Sequence, residues 1–72
     1  MNHFYRVLEV FEYDSYNEGN FKDETVAINH AKHLLSLQDD VEVRIFVDKV
    51  YFGTGDEYDT IFECGSDHLR RS

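Results

Sequence analysis

Cysteine and long apolar runs are what this 72-residue sequence lacks most clearly. It has one cysteine, Cys64, which excludes an internal disulfide and gives no sign of an oxidising compartment. No apolar run exceeds four residues, whereas a membrane span needs roughly 20. Arg6 and two glutamates interrupt the apolar N-terminal stretch, which is not typical of a signal peptide. The sequence therefore predicts a soluble intracellular protein, with a cytoplasmic setting.

Basic side chains are also scarce. Seven Lys and Arg stand against 15 Asp and Glu, for a net charge of −8. The imbalance is greatest in residues 38–67, which contain two basic and nine acidic side chains. Because phosphate contacts need Lys and Arg, direct binding of nucleic acid is disfavoured. The charge either keeps a small domain soluble or provides a surface for a basic partner.

Length and composition predict one small folded domain over residues 1–72. The chain is 42% hydrophobic and 15% aromatic, well above a disordered segment. A domain of this size buries only about 60% of the surface that its unfolded chain exposes, so it has one thin core. Residues 66–72 have too few apolar side chains to fold by themselves, and we expect them to form a flexible tail.

The first half of the chain predicts a strand and a helix. Residues 3–13 are rich in aromatic and β-branched side chains, which favours a long first strand. Residues 14–23 predict a loop, or a hairpin turn at residues 18–20 that leads into a short extra strand. Asp23 is expected to cap a helix that reaches Ser36 or Gln38. Its core-facing stripe comprises Ala27, Ile28, Ala31, Leu34 and Leu35.

The second half predicts a three-stranded meander. Residues 41–49 alternate, so that one side of the strand, expected to face the helix, carries Val41, Val43, Ile45 and Val47. A turn at Asp48-Lys49 would lead to a third strand over residues 50–53 and a fourth over residues 60–64. The prediction is an α+β domain in the order β-α-β-β-β, with one helix on one face of a three- to four-stranded, mostly antiparallel sheet.

One helix cannot cover both faces of such a sheet. The first strand is apolar on both sides, with Phe4, Leu8 and Val10 on one side and Tyr5, Val7 and Phe11 on the other. If the first set packs under the helix, the second forms an open face of the kind that marks interaction surfaces. Alternatively, a bulge or twist in the strand tucks part of the second set inward.

Residue types that carry catalysis or bind metal do not occur here at the required spacing. His30 and His33 lie three positions apart, and Cys64 and His68 lie four apart, but zinc sites use paired Cys or His ligands at other separations. No nucleophile has a base positioned by a recognisable motif. We therefore predict a non-catalytic protein with no metal and no cofactor.

The stretch "GTGDEYD", residues 53–59, resembles a phosphate-binding loop only in its glycines. Such a loop presents backbone N–H groups and a lysine to an anion, whereas this stretch is itself anionic. Carboxylates recur through the meander, and a rigid row of them can imitate the charge spacing of a nucleic-acid backbone. The predicted partner-binding residues are Asp39, Asp40, Glu42, Asp48, Asp56, Glu57, Tyr58, Asp59 and Glu63. Tyr58 would supply an anchoring contact.

A second hypothesis is a structural or assembly module that forms homodimers. Four helix residues would project together on a stripe away from the core and form a seam for self-association: Val26, His30, His33 and Leu37. The open sheet face is an alternative surface for the same contact.

The leading hypothesis is a non-catalytic inhibitor or adaptor that engages the basic cleft of a nucleic-acid-handling enzyme. In kind, its short length, high acidity and absence of a catalytic signature resemble the small inhibitor proteins with which phages block host DNA-handling enzymes, including anti-CRISPR proteins. That resemblance is one of size and composition and rests on no motif.

Overall fold

The computed structural model describes residues 2–39, 41–53 and 57–71. Within them the chain forms four strands and one helix: β1 (His3–Val10), β2 (Ser15–Phe21), α1 (Glu24–Ser36), β3 (Arg44–Tyr51) and β4 (Tyr58–Gly65). All strand pairs are antiparallel, in the spatial order β2-β1-β3-β4. The helix packs on one face, which confirms the predicted α+β class. The chain order is β-β-α-β-β and not β-α-β-β-β.

The additional strand β2 lies in the segment that was expected to be mainly loop. The turn lies before residues 18–20. It is formed at residues 11–14, where the Phe11 N–H donates to the Asp14 carbonyl at 2.7 Å. Gly19 lies within β2 opposite Val7, and the register shift beside it leaves Glu18 as an extra residue. The φ angle of Gly19 is 147°, which favours glycine. Pairing with β1 thus outweighs a composition typical of turns.

The predicted turn at Asp48-Lys49 is wrong, because β3 continues through these residues to Tyr51. The two expected strands are one strand. Residues 48 and 49 include no glycine, whereas Gly53 has a φ of 75° and lies where the chain leaves β3. Tight hairpin turns favour a residue that tolerates positive φ, so the turn occurs at the glycine.

The helix begins and packs as predicted. The Asp23 carboxylate accepts hydrogen bonds from the N–H groups of Thr25 at 2.8 Å and Val26 at 3.2 Å, which confirms the N-cap. Ala27 and Ala31 are buried against the sheet, since their small side chains allow close approach. The other buried residues of this core are Tyr5 and Val7 of β1, Ile45 and Val47 of β3, and Val43 just before β3.

Val41 was expected in this core but is 56% exposed. Residue 41 lies three positions before β3 begins at Arg44, whereas Val43, directly beside the strand, is buried. The two sides of β1 are also exchanged relative to the open-face hypothesis. Tyr5 and Val7, which were expected on the open face, lie under the helix. Phe4, Arg6 and Leu8 consequently face the other way, paired with Val50, Asp48 and Phe46 of β3.

Residues 66–71, here called the covering segment, lie against this second face. Leu69 is buried, and Arg71 contacts both Asp48 and the ring of Phe46. The segment contains no helix or strand and packs on the sheet. Its flexibility in solution stays a prediction. The covering segment therefore covers the part of this face that includes Phe46 and Asp48, while Phe4 and Leu8 are half-buried.

We predict that Ile45→Asp unfolds the domain, whereas Val41→Asp leaves it folded. Ile45 is fully buried between helix and sheet, and an unpaired charge there costs several kcal/mol, on the order of the whole stability of a small domain. Thermal melting followed by circular dichroism measures both. Cooperative melting of the Ile45 variant would contradict the packing, and unfolding of the Val41 variant would contradict its exposure.

Glu9 is a buried carboxyl on the helix side of the sheet, and its ionisation makes the stability of the domain depend on pH. Burial, a hydrogen bond with Glu18 and the charge of Glu18 together raise the pKa of Glu9 to about 7. Because the pKa of Glu9 in the folded protein lies above its ordinary value of 4.5, protonation of this carboxyl stabilises the folded state. That stabilisation is fully present below pH 4.5 and is lost as the pH rises to about 7.

We predict that Glu9→Gln reduces the loss of stability between pH 5 and pH 8, because the amide carries no proton to lose. Urea unfolding at both pH values measures the difference. Glu12→Gln is the matched control, since Glu12 is exposed, and it should keep the wild-type slope. An unchanged slope in the Glu9 variant would contradict the assignment.

Candidate interaction surfaces

The predicted partner-binding residues do not lie together in the structure. Val10, Arg44 and Gly65 lie in register at one end of the sheet, here called the turn end. His3 and Tyr51 lie at the opposite end, here called the hairpin end. An eight-residue strand separates the two ends by roughly 27 Å. Asp39 and Glu42 belong to the turn end, and Glu57, Tyr58 and Asp59 belong to the hairpin end. Asp40 and Asp56 lie outside the described residues.

Asp48 and Glu63, midway along the predicted row, do not present free carboxylates. Asp48 is 0% exposed. Glu63 is exposed but forms an ion pair with Arg44. The carboxylates therefore do not form one continuous row, and Asp48 is inaccessible to a partner while the covering segment is in place.

Asp48 is held by three side chains from different parts of the chain. Arg6 donates to it at 3.0 Å, Arg71 donates to both of its oxygens at 2.8 and 2.9 Å, and Thr60 donates at 2.8 Å. Burial raises the pKa of Asp48, but the hydrogen bonds from Arg71, Arg6 and Thr60 outweigh it, so the pKa is lowered. Asp48 is therefore ionised at neutral pH.

Sequence reasoning missed this network, although one signal was available. The run "RIFVDKVYF" places a single carboxylate in the middle of a strongly apolar strand. A buried carboxylate needs a cation or several hydrogen bonds, so such a position requires Arg or Lys elsewhere in the chain.

The turn end carries an open groove that combines exposed tyrosines with carboxylates. It is lined by Phe11, Glu12, Tyr13, Asp14, Tyr16, Val41 and Glu42. Tyr13 is 88% exposed and Tyr16 is 52% exposed. The lining includes three carboxylates and no Lys or Arg. This surface therefore combines apolar contact area with a net excess of carboxylates, one of which, Glu42, is contacted by His68 Nε2 at 2.9 Å.

Two further features increase the negative charge of the turn end. The helix ends there at Ser36, and a helix C-terminus carries a partial negative charge. Asp39 follows and is exposed. Of the described residues that line this end, Glu42 and Asp39 were predicted as partner-binding. The sequence signal for the others was "FEYDSY", in which aromatic side chains and carboxylates alternate across a turn.

At the hairpin end, cations accompany the predicted carboxylates. Asp59 lies opposite Lys49 in the β3–β4 register and accepts a hydrogen bond from the Tyr51 hydroxyl at 2.9 Å. Glu57 is exposed. The ring of Tyr58 is stacked by the guanidinium groups of Arg6 and Arg71, at 5.2 and 4.9 Å. Among the described residues, the carboxylates of this end thus have cations near them, whereas the groove at the turn end has no Lys or Arg in its lining.

The predicted seam on the helix is partly exposed. Val26 and Leu37 are 51% and 60% exposed, and His33 is exposed as well. His30 is half-buried, with its ring 5.2 Å from the ring of Phe21. The seam therefore presents two apolar side chains and one histidine to solvent.

The described residues give no sign of a metal centre or a reactive thiol. Within residues 2–39, 41–53 and 57–71, no three His, Cys, Asp or Glu side chains come together as a metal site would require. Burial raises the pKa of the half-buried Cys64 thiol, despite the opposing charges of Arg44 and Lys32, so the thiol stays protonated at neutral pH.

Comparisons with known proteins do not indicate a function for this chain. No protein-family model, curated protein or solved structure matches it. In the part of the chain that the structure describes, α1 is too short and too polar to cross a membrane, and there is no other helix to do so.

Proposed function

We propose that the protein is a non-catalytic binding protein whose acidic turn end engages a basic surface of a partner protein. The observation that supports this most strongly is the groove in which Tyr13 and Tyr16 stand exposed beside Glu12, Asp14 and Glu42. Tyrosines dominate the energetics of many interfaces, and carboxylates around them add orientation and faster association with a cationic partner.

The internal ion pairs support the same proposal. Arg6 and Arg71 pair with Asp48, and Arg44 pairs with Glu63 and Asp67. These arginines are engaged by carboxylates of the same chain, and none of them lines the groove at the turn end. A surface of that kind repels phosphate and attracts Lys and Arg, which favours a protein partner over nucleic acid.

The partner class follows from the same chemistry. Extended basic surfaces on proteins commonly serve to bind nucleic acid, so an acidic protein that occupies one acts as an inhibitor or an adaptor. The resemblance in kind to phage inhibitors of DNA-handling enzymes fits this role. A cytoplasmic setting, in which such enzymes work, is part of the proposal.

Two charge-neutralised variants with the same number of substitutions locate the binding surface. The turn-end variant is Glu12→Gln, Asp14→Asn and Glu42→Gln, and the hairpin-end variant is Asp56→Asn, Glu57→Gln and Asp59→Asn. A partner captured from extracts of the native host with the wild type is purified and titrated with all three proteins at 50 and 200 mM salt.

We expect the turn-end variant to lose affinity about tenfold and most of its salt dependence, since exposed ion pairs contribute on the order of 0.2–1 kcal/mol each. The hairpin-end variant should bind as the wild type does, and duplex DNA should compete for the partner. Loss of affinity only in the hairpin-end variant would instead make residues 53–59 the site. Wild-type affinity in both variants would mean that the acidity serves solubility alone.

A second candidate is homodimerisation through the helix seam, and the exposure of Val26 and Leu37 favours it. Residues 66–71 cover part of the alternative surface for self-association, the second sheet face, at Phe46 and Asp48. We predict that any wild-type dimer is lost in Leu37→Glu, because the charge would be buried in the contact. Sedimentation velocity tests this. Equal association of both proteins would contradict the seam.

A further inference from the structure

Several contacts attach the covering segment to the rest of the chain, among them the Ser66 N–H donating to the Val43 carbonyl at 2.8 Å and His68 contacting Glu42 at 2.9 Å. Near its start, the Arg44 guanidinium donates to the Asp67 carboxylate at 3.0 Å and to the Ser66 carbonyl at 3.3 Å. In its middle, Leu69 is buried, with 6% of its surface exposed. At its far end, Arg71 reaches Asp48. The last two contacts place an apolar side chain and, two positions later, a guanidinium on the same face.

The surroundings of Arg71 select a guanidinium group by both charge and shape. Its two terminal nitrogens donate to the two oxygens of Asp48 at 2.8 and 2.9 Å, and one of them also donates to Thr60 Oγ1 at 2.9 Å. Its charged end lies 4.1 Å from the ring centroid of Phe46 and 4.9 Å from that of Tyr58. A planar fork that pairs with a carboxylate and stacks on aromatic rings is specific to arginine, and lysine cannot reproduce it.

The groups that bind Arg71 all belong to the sheet. Phe46 and Asp48 lie on β3, and Tyr58 and Thr60 lie on β4, in adjacent paired strands. Arg6, on β1, keeps a contact of 3.0 Å with Asp48 that does not depend on the covering segment. The sheet can therefore present the same site when residues 66–71 are absent from it.

We propose that this is a binding site for an arginine side chain of a partner polypeptide, and that Arg71 occupies it as an internal competitor. The favoured ligand is a segment with an apolar residue two positions before an arginine, which matches the spacing of Leu69 and Arg71. This site is separate from the acidic groove at the turn end and does not rest on the function proposed for that groove.

The internal competitor explains why such a site would be closed in the isolated protein. A tethered ligand acts at a local concentration in the millimolar range, so a free ligand must exceed that level or bring additional contacts. Removing the Arg71 side chain removes the competitor and leaves the sheet residues unchanged. The variant Arg71→Ala should therefore expose the site to an added ligand.

The test uses two synthetic peptides with blocked ends. One has the sequence of residues 66–71, "SDHLRR", and the other carries Lys in place of its last arginine. Each is titrated by calorimetry into the wild type, Arg71→Ala and the matched control Arg70→Ala. Arg70 is exposed and donates to backbone carbonyls rather than to Asp48.

We expect Arg71→Ala to bind the arginine peptide at least about tenfold more tightly than the wild type and Arg70→Ala do, because the internal competitor is gone. The lysine peptide should bind Arg71→Ala at least about tenfold more weakly, because it loses the paired hydrogen bonds. Equal affinity of Arg71→Ala and Arg70→Ala, or of the two peptides, would overturn the proposal.

If Arg71→Ala fails to fold, the proposal is tested on the wild-type protein by NMR. Saturation with millimolar arginine peptide should shift the NMR signal of the Arg71 side-chain N–H as that group is displaced, and no shift at saturation would overturn the proposal. A wild-type dimer that Arg71→Ala cannot form would also overturn it, because the occupant would then be the covering segment of a second copy.

Discussion

The buried carboxylate of Asp48 is the constraint on which the rest of this small structure depends. A charge with no exposure to water must be paired, and breaking such a pair costs about 3–5 kcal/mol, a large share of the stability of a small domain. The pairing groups come from β1, from β4 and from the covering segment. One side chain thus connects three strands and holds the segment that covers the second face of the sheet.

This arrangement also shapes the surface. Arg6 and Arg71 are engaged in the Asp48 network and Arg44 pairs with Glu63 and Asp67, so none of these three arginines lines the acidic groove. The groove at the turn end keeps exposed tyrosines beside carboxylates, with no Lys or Arg in its lining, and Glu42 contacts His68. The same interior pairing therefore accounts for both proposals, the acidic groove that attracts a basic partner and the arginine site that the chain itself occupies.

Features set by local sequence were predictable, and features set by distant contacts were not. The cap at Asp23 and the alternation through Val43, Ile45 and Val47 depend on neighbouring residues, and the structure confirms them. Strand β2 and the unbroken β3 depend on pairing with β1, which can outweigh local turn preferences. Carboxylates are concentrated in residues 38–67 of the sequence, but in the folded chain those at the two ends of the sheet lie about a strand length apart. Arg71 lies 23 residues from its partner Asp48, beyond the reach of any local pattern.

The central claim is that the bond between Asp48 and Arg71 holds the covering segment on the sheet. A double-mutant cycle with Asp48→Asn, Arg71→Gln and the combined variant measures the coupling free energy directly by urea unfolding. Two close, desolvated hydrogen bonds between charged groups predict a coupling of about 1.5–3 kcal/mol. A coupling near zero, with the two single substitutions strictly additive, would contradict the account.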